Sequence, residues 1–349
     1  MQGTMCLNME TVPPKRILFI RPSALGDVCR SVPVVASLHA AYPKSAIDWL
    51  VQTEFVDAIS AHPSVSKVIP FPRKTLAQWY TSEGFTALRN MISDLRAKKY
   101  DLVIDGQGLG RSGLLAFITG SPQRVGLKNA REFGWLGYTQ RVNALSVHTV
   151  DQMLDLVSSI GVEPVKDMRL YEPESALKWW AAQKYNMELA SDYIVLAPTS
   201  RWLSKRWPIN CFIEIAKYLQ SIGKTVVVVG APFETNQVEP LLKVKGVVNL
   251  MPKLSVANLL SVIKQSSLVV ANDSAALHIA VGFNVPCLGL FGPTNPVRVG
   301  PYKCENSVIS TPVEYSKLNY RNPKIGDSIM KKITIAEVRS RLDNLLQEL

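Results

Sequence analysis

Short apolar runs alternate with amphipathic stretches along the whole chain, and the pattern occurs twice. In the first half the apolar runs are Arg16–Ile20, Ala46–Val51, Ser66–Ile69 and Asp101–Ile104. In the second half they are Tyr193–Leu196, Thr225–Val229, Val247–Leu250, Ser267–Val270 and Cys287–Leu290. Continuous apolar strands separated by helices are typical of parallel sheets buried on both faces. The sequence therefore predicts an α/β protein with two doubly wound parallel-sheet domains that face each other across a cleft.

Helical spacing of apolar residues predicts a helix between most successive strands. The predicted helices are Val32–Ala41, Phe55–Ala61, Phe85–Lys98, Asn210–Ile222, Glu234–Lys243, Val256–Lys264 and Ala275–Val281. A polar, proline-flanked stretch, Glu163–Ala176, is the predicted boundary between domains 1–170 and 171–349. Beyond it, Val299–Asp327 is expected to be loop. A terminal helix is expected in 333–349, with the domain interface as a candidate packing site.

Length and charge narrow the class of protein. The chain has 349 residues, whereas single hydrophobic cores stop growing at roughly 250–300 residues. Its 39 basic and 28 acidic side chains give a net charge of +11, which favours phosphate-bearing substrates, anionic membrane surfaces or nucleic acid as partners. A generally basic, solvated surface would explain the same charge. Nucleic acid is disfavoured, because no helix combines a dense Lys/Arg stripe with interleaved aromatic residues.

The cysteines and the apolar runs predict a soluble protein of the cytoplasm. Five cysteines, Cys6, Cys29, Cys211, Cys287 and Cys304, lie at neither paired nor metal-ligand spacing. The segment Met1–Arg16 lacks the apolar core of a signal peptide. No apolar run approaches the roughly 20 residues that a membrane span requires, so no transmembrane segment is expected.

The first cluster with chemical potential follows the first strand. Ser23-Ala24-Leu25-Gly26-Asp27 is a turn of small residues at a strand's carboxyl end, where doubly wound folds bind ligands. The Asp27 carboxylate could accept a proton from a sugar hydroxyl. It could equally cap the following helix, as aspartate commonly does after such turns.

The second domain contains three further clusters at the ends of its strands. The first cluster combines hydroxyls with cations in Thr199-Ser200-Arg201 and Lys205-Arg206, a combination that suits a diphosphate. The cations could instead be solvated loop charges. The second cluster, Asn272–His278, starts a helix that could present its backbone amides to an anion. His278 lies on the same face as Ser274 and could either contact the ligand or only pack in the core. Gly292-Pro293-Thr294-Asn295-Pro296 is a sharp turn beside it.

Several common signatures are absent from the sequence. It contains no D-x-D, P-loop, H-E-x-x-H or G-x-S-x-G motif, and its four histidines are dispersed. No metal site and no cofactor are therefore predicted.

Together these clusters resemble glycosyltransferase family 9, the ADP-heptose:lipopolysaccharide heptosyltransferases. The matching motifs are S-x-x-G-D at Ser23–Asp27, T-S-R…K-x-W-P at Thr199–Pro208, D-[ST]-G-x-x-H at Asp273–His278 and G-P-T-x-P at Gly292–Pro296. The loops Asp105–Ser112 and Gly126–Glu132 resemble the acceptor-side loops of the heptosyltransferase I branch. The likeness runs from Arg16 to the end of the chain.

The resemblance implies a GT-B architecture and an inverting, metal-independent transfer of heptose from ADP-heptose to an anionic lipopolysaccharide acceptor of the Kdo–lipid A type. Asp27 is the implied general base. The implied donor-binding residues are Thr199, Ser200, Lys205, Leu254, Asp273, Ser274, Ala275, His278, Gly292 and Thr294. The implied acceptor-binding residues are Ser23, Gly26, Arg30, Gln107 and Arg131. Such an acceptor implies contact with the cytoplasmic face of the inner membrane.

Three positions depart from the family pattern. Ala275 replaces a glycine, Arg30 stands where many members have histidine, and Glu234 is displaced by about two positions from the acid that binds ribose. These departures leave another GT-B nucleotide-sugar transferase or a nucleotide-sugar epimerase as alternatives, with a basic nucleic-acid-binding protein less favoured. The sequence predicts no oligomeric state.

Overall fold

The computed structural model describes residues 12–189 and 191–348. Residues 1–11, which include Cys6 and most of the segment Met1–Arg16 for which no signal peptide was expected, lie outside the described residues. Leu349, the last residue of the predicted terminal helix, also lies outside them.

Six parallel strands form the first sheet. They are β1 (Arg16–Ile20), β2 (Ala46–Gln52), β3 (Lys67–Phe71), β4 (Leu102–Asp105), β5 (Gln123–Leu127) and β6 (Gln140–Val142). Their order across the sheet is β3-β2-β1-β4-β5-β6, with Phe19 of β1 opposite Trp49 of β2 and Ile104 of β4. The order reverses between β1 and β4, so a ligand crevice is expected where the loops after these two strands separate.

The second sheet repeats this arrangement. Its strands are β7 (Tyr193–Ala197), β8 (Thr225–Val228), β9 (Val247–Asn249), β10 (Leu268–Asn272), β11 (Cys287–Phe291) and β12 (Val308–Ser310). Their order is β12-β11-β10-β7-β8-β9, and all neighbours are parallel. The predicted architecture of two doubly wound parallel sheets is confirmed.

Helices cover both sheets. In the first half of the chain they are α1 (Leu25–Arg30), α2 (Val32–Ala41), α3 (Arg73–Ala77), α4 (Ser82–Ala97), α5 (Gly110–Ile118), α6 (Thr149–Ser158) and α7 (Glu174–Asn186). In the second half they are α8 (Ile209–Ser221), α9 (Glu239–Leu242), α10 (Val256–Lys264), α11 (Ala275–Gly282), α12 (Pro296–Val299), α13 (Pro323–Met330) and α14 (Ile335–Gln347). Within the part of the chain that the structure describes, none of these helices has both the length and the apolar character needed to cross a bilayer.

Two predicted helices take other forms. The segment predicted as helix Phe55–Ala61 is a 3₁₀ helix, Thr53–Ala58. The segment predicted as helix Glu234–Lys243 divides into a 3₁₀ helix, Pro232–Gln237, and the short helix α9. Pro240 lies inside the predicted span, and a continuous helix cannot accommodate its missing N–H and its ring.

Three strands were missed: β5, β6 and β12. β6 and β12 have three residues each and are edge strands, whereas β5 has five residues, of which only Val125 and Leu127 are large and apolar. An edge strand has one neighbour and less need of a continuous apolar run, so the pattern that marks buried strands is weak there. The predicted loop Val299–Asp327 therefore proves wrong in part, because it contains β12 and the start of α13.

The predicted domain boundary lies between the two sheets. The first sheet ends at β6 and the second begins at β7; residue 170 falls in the segment that joins α6 to α7. α7 packs on α10, and Trp180 Nε1 donates to Tyr193 Oη at 3.0 Å, which ties α7 to the second sheet. The division into 1–170 and 171–349 stays a prediction.

The terminal helix α14 packs on α8 of the second domain. Its buried residues Val338 and Leu342 join the apolar cluster that contains Phe212 and Ile215. Trp207 Nε1 donates to Ile333 O at 2.9 Å and anchors the start of this segment. The helix thus packs in the core of the second domain rather than at the candidate position between the domains.

We predict that Leu342→Ala lowers the free energy of unfolding of the second domain by about 2–5 kcal/mol, because the side chain is fully buried and its removal leaves a cavity. The matched control is Leu177→Ala on α7, where the side chain is 43% exposed and a change within about 0.5 kcal/mol is expected. Urea denaturation followed by tryptophan fluorescence measures both. Equal stability of Leu342→Ala and the wild type would contradict the packing of α14.

Candidate active site at the domain interface

Helices α1 and α11 bring the two domains into direct contact. A Cβ atom on Gly26 of α1 would lie 2.8 Å from His278 Cδ2 and 3.4 Å from Ala275 Cα, both on α11. A side chain at residue 26 would displace the buried imidazole of His278, so glycine allows α1 to lie this close to α11. The loop after β1 and the cluster Asn272–His278 of the second domain, which lie far apart in sequence, therefore form one site.

Asp27 is held by three donors. Its Oδ1 accepts a hydrogen bond from Arg30 Nη2 and lies 3.2 Å from Arg21 Nη2, and its Oδ2 accepts from Ala24 N at 3.1 Å. The helix-capping role left open by the sequence is thus present. The side chain remains 27% exposed, so capping does not close it to a substrate.

The arginines set the charge of Asp27. Burial alone would raise the pKa of Asp27, but the charges of Arg21 and Arg30 and the hydrogen bonds outweigh burial and hold the pKa well below its ordinary value. Asp27 is therefore an ionised carboxylate throughout the neutral range. Its basicity is low as long as both arginines remain in place.

Arg30 also joins the two domains. Its Nη1 donates to Val299 O, at the end of α12, at 3.0 Å, while its Nη2 contacts Asp27. Arg21 Nη1 donates in turn to Gly106 O after β4. The structure thus assigns Arg30 two protein partners, and its predicted contact with an acceptor stays a prediction.

A second buried carboxylate lies on the other side of the site. Asp273 Oδ2 accepts from Lys205 Nζ at 2.6 Å and from Thr294 Oγ1 at 2.7 Å. The side chains of Lys205 and Asp273 are 15% and 10% exposed, so Lys205 is not a solvated loop charge. Burial opposes ionisation, but the charge of Lys205 and the bonds from Lys205 and Thr294 outweigh it and lower the pKa of Asp273. Three predicted donor-binding residues therefore meet in space.

The start of α11 carries polar groups without partners. Ser274 is the N-cap residue of α11, and its side chain does not cap the helix. Its Oγ is buried and, like the buried Nδ1 of His278, finds no hydrogen-bond partner among the described residues. Burial, reinforced by the charge of Arg30, lowers the pKa of His278 to about 3, so the imidazole is neutral.

Unsatisfied buried atoms concentrate at this site. In the described part of the chain seven buried side-chain atoms lack a partner, and four of them belong to Arg21, Arg30, Ser274 and His278. Because proteins rarely leave buried polar groups unpaired, these four atoms are available to bind a polar ligand or water.

The other predicted donor-binding residues follow neighbouring strands. Thr199 and Ser200 follow β7 and are buried, and Thr199 Oγ1 would lie 2.9 Å from a Cβ on Gly230 after β8. Leu254 follows β9 and is half-buried. A Cβ on Gly292 would lie 2.4 Å from Met330 Sδ, so the packing of α13 against this turn is one reason for glycine there.

Arg206 and Glu234 each form a hydrogen bond with a nearby backbone group of the second domain. Arg206 Nε donates to Ser200 O at 2.7 Å, while the carboxylate of Glu234 accepts from Ala231 N at 3.2 Å. Glu234 thus stabilises the loop after β8. A role in binding ribose stays a prediction.

The predicted acceptor-binding residues lie around the loops after β1 and β4. Ser23 N donates to Gln107 Oε1 at 3.1 Å, which joins these loops directly. Arg131 N donates to Gly108 O at 3.0 Å, and the Arg131 side chain is exposed. Ser23 and Gln107 are therefore together beside Asp27, whereas Arg131 is attached to the same loops through its backbone only.

Three cations of the first domain that were not predicted as site residues lie at the site. A cavity beside Ser23 and Gln107 is also lined by Arg73 and Arg111, and Arg21 contacts Asp27. Each of these arginines comes shortly after the end of a strand, at the carboxyl edge of the sheet where ligands bind. Their position after a strand could have identified them as candidate site residues from the sequence.

Comparisons with known proteins agree with this geometry. The model of glycosyltransferase family 9 (heptosyltransferase) matches residues 88–326. The lipopolysaccharide core heptosyltransferase OpsX of Haemophilus influenzae is 24% identical over 97% of this chain and 99% of its own. The lipopolysaccharide heptosyltransferase 1 of Pseudomonas aeruginosa is 29% identical over 82% of this chain and 81% of its own.

Solved structures share the whole fold. A family 9 glycosyl transferase from Veillonella parvula superposes with a TM-score of 0.79 at 22% identity, over 96% of this chain and 98% of its own. The E. coli heptosyltransferase WaaC with ADP superposes with a TM-score of 0.76 at 24% identity, over 95% and 99%. The family model matches more than half of the chain. The chain belongs to glycosyltransferase family 9, the heptosyltransferases, and is a glycosyltransferase with the GT-B fold.

Proposed function

We propose that this enzyme transfers a heptose from ADP-heptose to an inner-core lipopolysaccharide acceptor of the Kdo–lipid A type, with inversion and without a metal ion. The relatives named above are lipopolysaccharide heptosyltransferases, and solved neighbours carry ADP or ADP-2-deoxy-2-fluoro heptose. The observation that carries the proposal is the contact between α1, which bears Asp27, and α11, whose His278 is influenced by both Asp27 and the Asp273 of the Lys205–Asp273–Thr294 cluster.

In the proposed reaction Asp27 accepts the proton of the acceptor hydroxyl. The hydroxyl oxygen forms a bond to the anomeric carbon as the bond from that carbon to the diphosphate oxygen breaks, and ADP leaves with the bonding electrons. A single displacement of this kind inverts the anomeric centre. Arg21 and Arg30 keep Asp27 ionised and oriented, at the cost of basicity. Transfer of the proton is consequently easiest late in the reaction, when the attacking oxygen has become acidic.

The donor is proposed to occupy the edge of the second sheet. Lys205 neutralises the charge that develops on the diphosphate, and the hydroxyls of Thr199 and Ser200 donate to its oxygens. The uncapped start of α11 offers backbone N–H groups, and Ser274 Oγ and His278 Nδ1 gain the partners that they lack. In this proposal Leu254 lines the adenine pocket.

The acceptor is proposed to approach from the first domain. Arg73 and Arg111 line the cavity beside Ser23 and Gln107, so an acidic sugar would meet two cations there. A glycolipid acceptor of this kind would hold the enzyme at the cytoplasmic face of the inner membrane, as a peripheral protein.

The proposal predicts one product. Purified enzyme, ADP-heptose and a panel of truncated Kdo–lipid A glycolipids should yield, by mass spectrometry, an acceptor extended by one heptose, in the presence of EDTA. Parallel reactions with UDP-hexoses are the control and should release little nucleotide. Turnover with a UDP-sugar instead, or a strict need for added metal, would contradict the proposed donor or mechanism.

We predict that Asp27→Asn lowers kcat by about 10²–10⁴-fold, because the amide cannot accept the proton. Binding of ADP, measured by calorimetry, should stay within about threefold of the wild-type value, since Asp27 lies on the acceptor side and a threefold change is under 1 kcal/mol. The exposed Asp57→Asn is the matched control and should be fully active. Wild-type turnover by Asp27→Asn would remove Asp27 as the base.

We predict that Lys205→Met weakens binding of ADP by about 10–100-fold, the usual effect of losing a hydrogen bond from a charged donor. Lys205→Arg should retain part of the affinity because it keeps the charge. Lys217→Met, which removes an exposed lysine paired with Glu214, is the control. Thermal unfolding of each variant separates lost binding from lost folding, since Lys205→Met leaves Asp273 without its cation. A folded Lys205→Met with unchanged affinity would reject the diphosphate role.

A further inference from the structure

Four of the exposed large apolar side chains of the first domain lie on α5 or in and beside the 3₁₀ turn that touches it. Leu114 and Phe117 on α5 are 57% and 58% exposed, and Phe133 and Leu136 are 73% and 61% exposed. Leu136 lies in the 3₁₀ turn Gly134–Gly137, and Phe133 directly precedes this turn. These four residues are called the apolar patch below.

Glycines join the two halves of the apolar patch. A Cβ on Gly113 would lie 2.1 Å from Gly134 O, and one on Gly137 would lie 1.9 Å from Gly113 O. The backbones of α5 and the turn therefore touch, with no side chain between them. Residues four apart lie on one side of a helix, so Phe117 follows Gly113 on the side of α5 that faces the turn. The two halves of the patch are consequently carried by adjoining backbone segments.

The backbone at Phe133 is held in an unusual conformation. Phe133 and Glu132 have φ angles of +59° and +57°, in the left-handed region that bulky residues rarely adopt. Such strain persists where the surrounding structure enforces it, and it clusters at functional places. Here it holds an aromatic ring 73% exposed to solvent, where the ring contributes little to the packing of the domain. An external partner for this ring would account for the arrangement.

Cations surround the apolar patch. Residues 106–147 contain five cations, Arg111, Arg124, Lys128, Arg131 and Arg141, and one carboxylate, Glu132. The guanidinium of Arg124 lies 5.7 Å from the centre of the Phe117 ring, and that of Arg141 lies 4.5 Å from the centre of the Trp135 ring. Apolar groups and positive charges therefore occupy the same face.

We propose that this face docks on an anionic lipid bilayer. Leucine and phenylalanine side chains would enter the boundary between headgroups and acyl chains, while arginine and lysine side chains would pair with lipid phosphates. Charge complementarity favours a bilayer over a second copy of this chain, because two copies would bring their cations together. The proposal deepens the proposed function and rests on it for the identity of a membrane-borne acceptor.

The position of α5 gives docking a consequence for the reaction. Arg111, Ser112 and Leu115 of α5 line the cavity that also contains Ser23 and Gln107, whereas Leu114 and Phe117 of the same helix are exposed. One helix thus joins the docking face to the proposed acceptor cavity. An enzyme docked by the apolar patch would hold this cavity near the headgroups, where the sugar of a glycolipid acceptor lies.

The test is sedimentation of the full chain with vesicles of phosphatidylethanolamine and phosphatidylglycerol, compared with vesicles of phosphatidylcholine. The wild type should bind the anionic vesicles, and binding should fall with added salt. Phe117→Ser/Phe133→Ser should reduce the partition coefficient by about tenfold or more, from the loss of two buried rings. Lys128→Gln/Arg141→Gln should reduce it by several-fold, as expected for two cations near an anionic surface.

The matched control is Tyr185→Ser, which removes an aromatic ring that is 85% exposed on α7. It should bind vesicles as the wild type does. Transfer to an acceptor lacking acyl chains, assayed without vesicles, should be unchanged in Phe117→Ser/Phe133→Ser, so failure of docking and failure of the proposed reaction give different results. Undiminished vesicle binding by that variant would overturn the proposal. A wild-type dimer that this variant dissociates in the absence of vesicles would overturn it in favour of a second copy.

Discussion

The close contact between α1 and α11 is the constraint on which the site depends. A Cβ on Gly26 would lie 2.8 Å from His278 Cδ2, so a larger residue there would displace the imidazole. Each helix starts at the carboxyl edge of its own sheet, so the contact sets the two ligand-binding edges against each other. Asp27 and Asp273 belong to different domains, yet the charges of both act to raise the pKa of the same buried imidazole, that of His278.

Two carboxylates are kept ionised at this contact by different partners. Arg21 and Arg30 hold Asp27, while Lys205 holds Asp273. A charge removed from water without a partner is unstable, so each carboxylate requires its cation. Lysine has three N–H donors and arginine has five, so each cation can keep its carboxylate and still donate to an anionic substrate. Arg30 also donates to Val299 O of the second domain, so the environment of the proposed base depends on how the domains meet. Both carboxylates are thus paired with cations before a substrate arrives. Among the described residues, the buried atoms named above still lack hydrogen-bond partners.

Helix α5 faces two different environments in the first domain. Its start contributes Arg111 and Ser112 to the cavity beside Ser23, and its exposed side presents Leu114 and Phe117. The glycines at 110, 113, 134 and 137 let the neighbouring 3₁₀ turn approach its backbone. In soluble proteins large exposed apolar surfaces usually mark a contact with something else. The orientation of an acceptor and the orientation of the enzyme on a surface would therefore be set by the same helix.

The sequence by itself determined the repeated α/β pattern and the nine strands with continuous apolar runs, because burial between helices imposes a local periodicity. It also determined the clusters around Asp27, Lys205 and Asp273, because short motifs keep their spacing. It did not reveal the edge strands β6 and β12, which lack that periodicity, or the break at Pro240. Only the tertiary structure decided that Asp27 is both a helix cap and a partner of Arg21, that Lys205 pairs with Asp273, and that α14 packs in the second domain. Contacts such as these join residues distant in the chain, and their geometry depends on how whole helices and sheets pack, which no local pattern encodes.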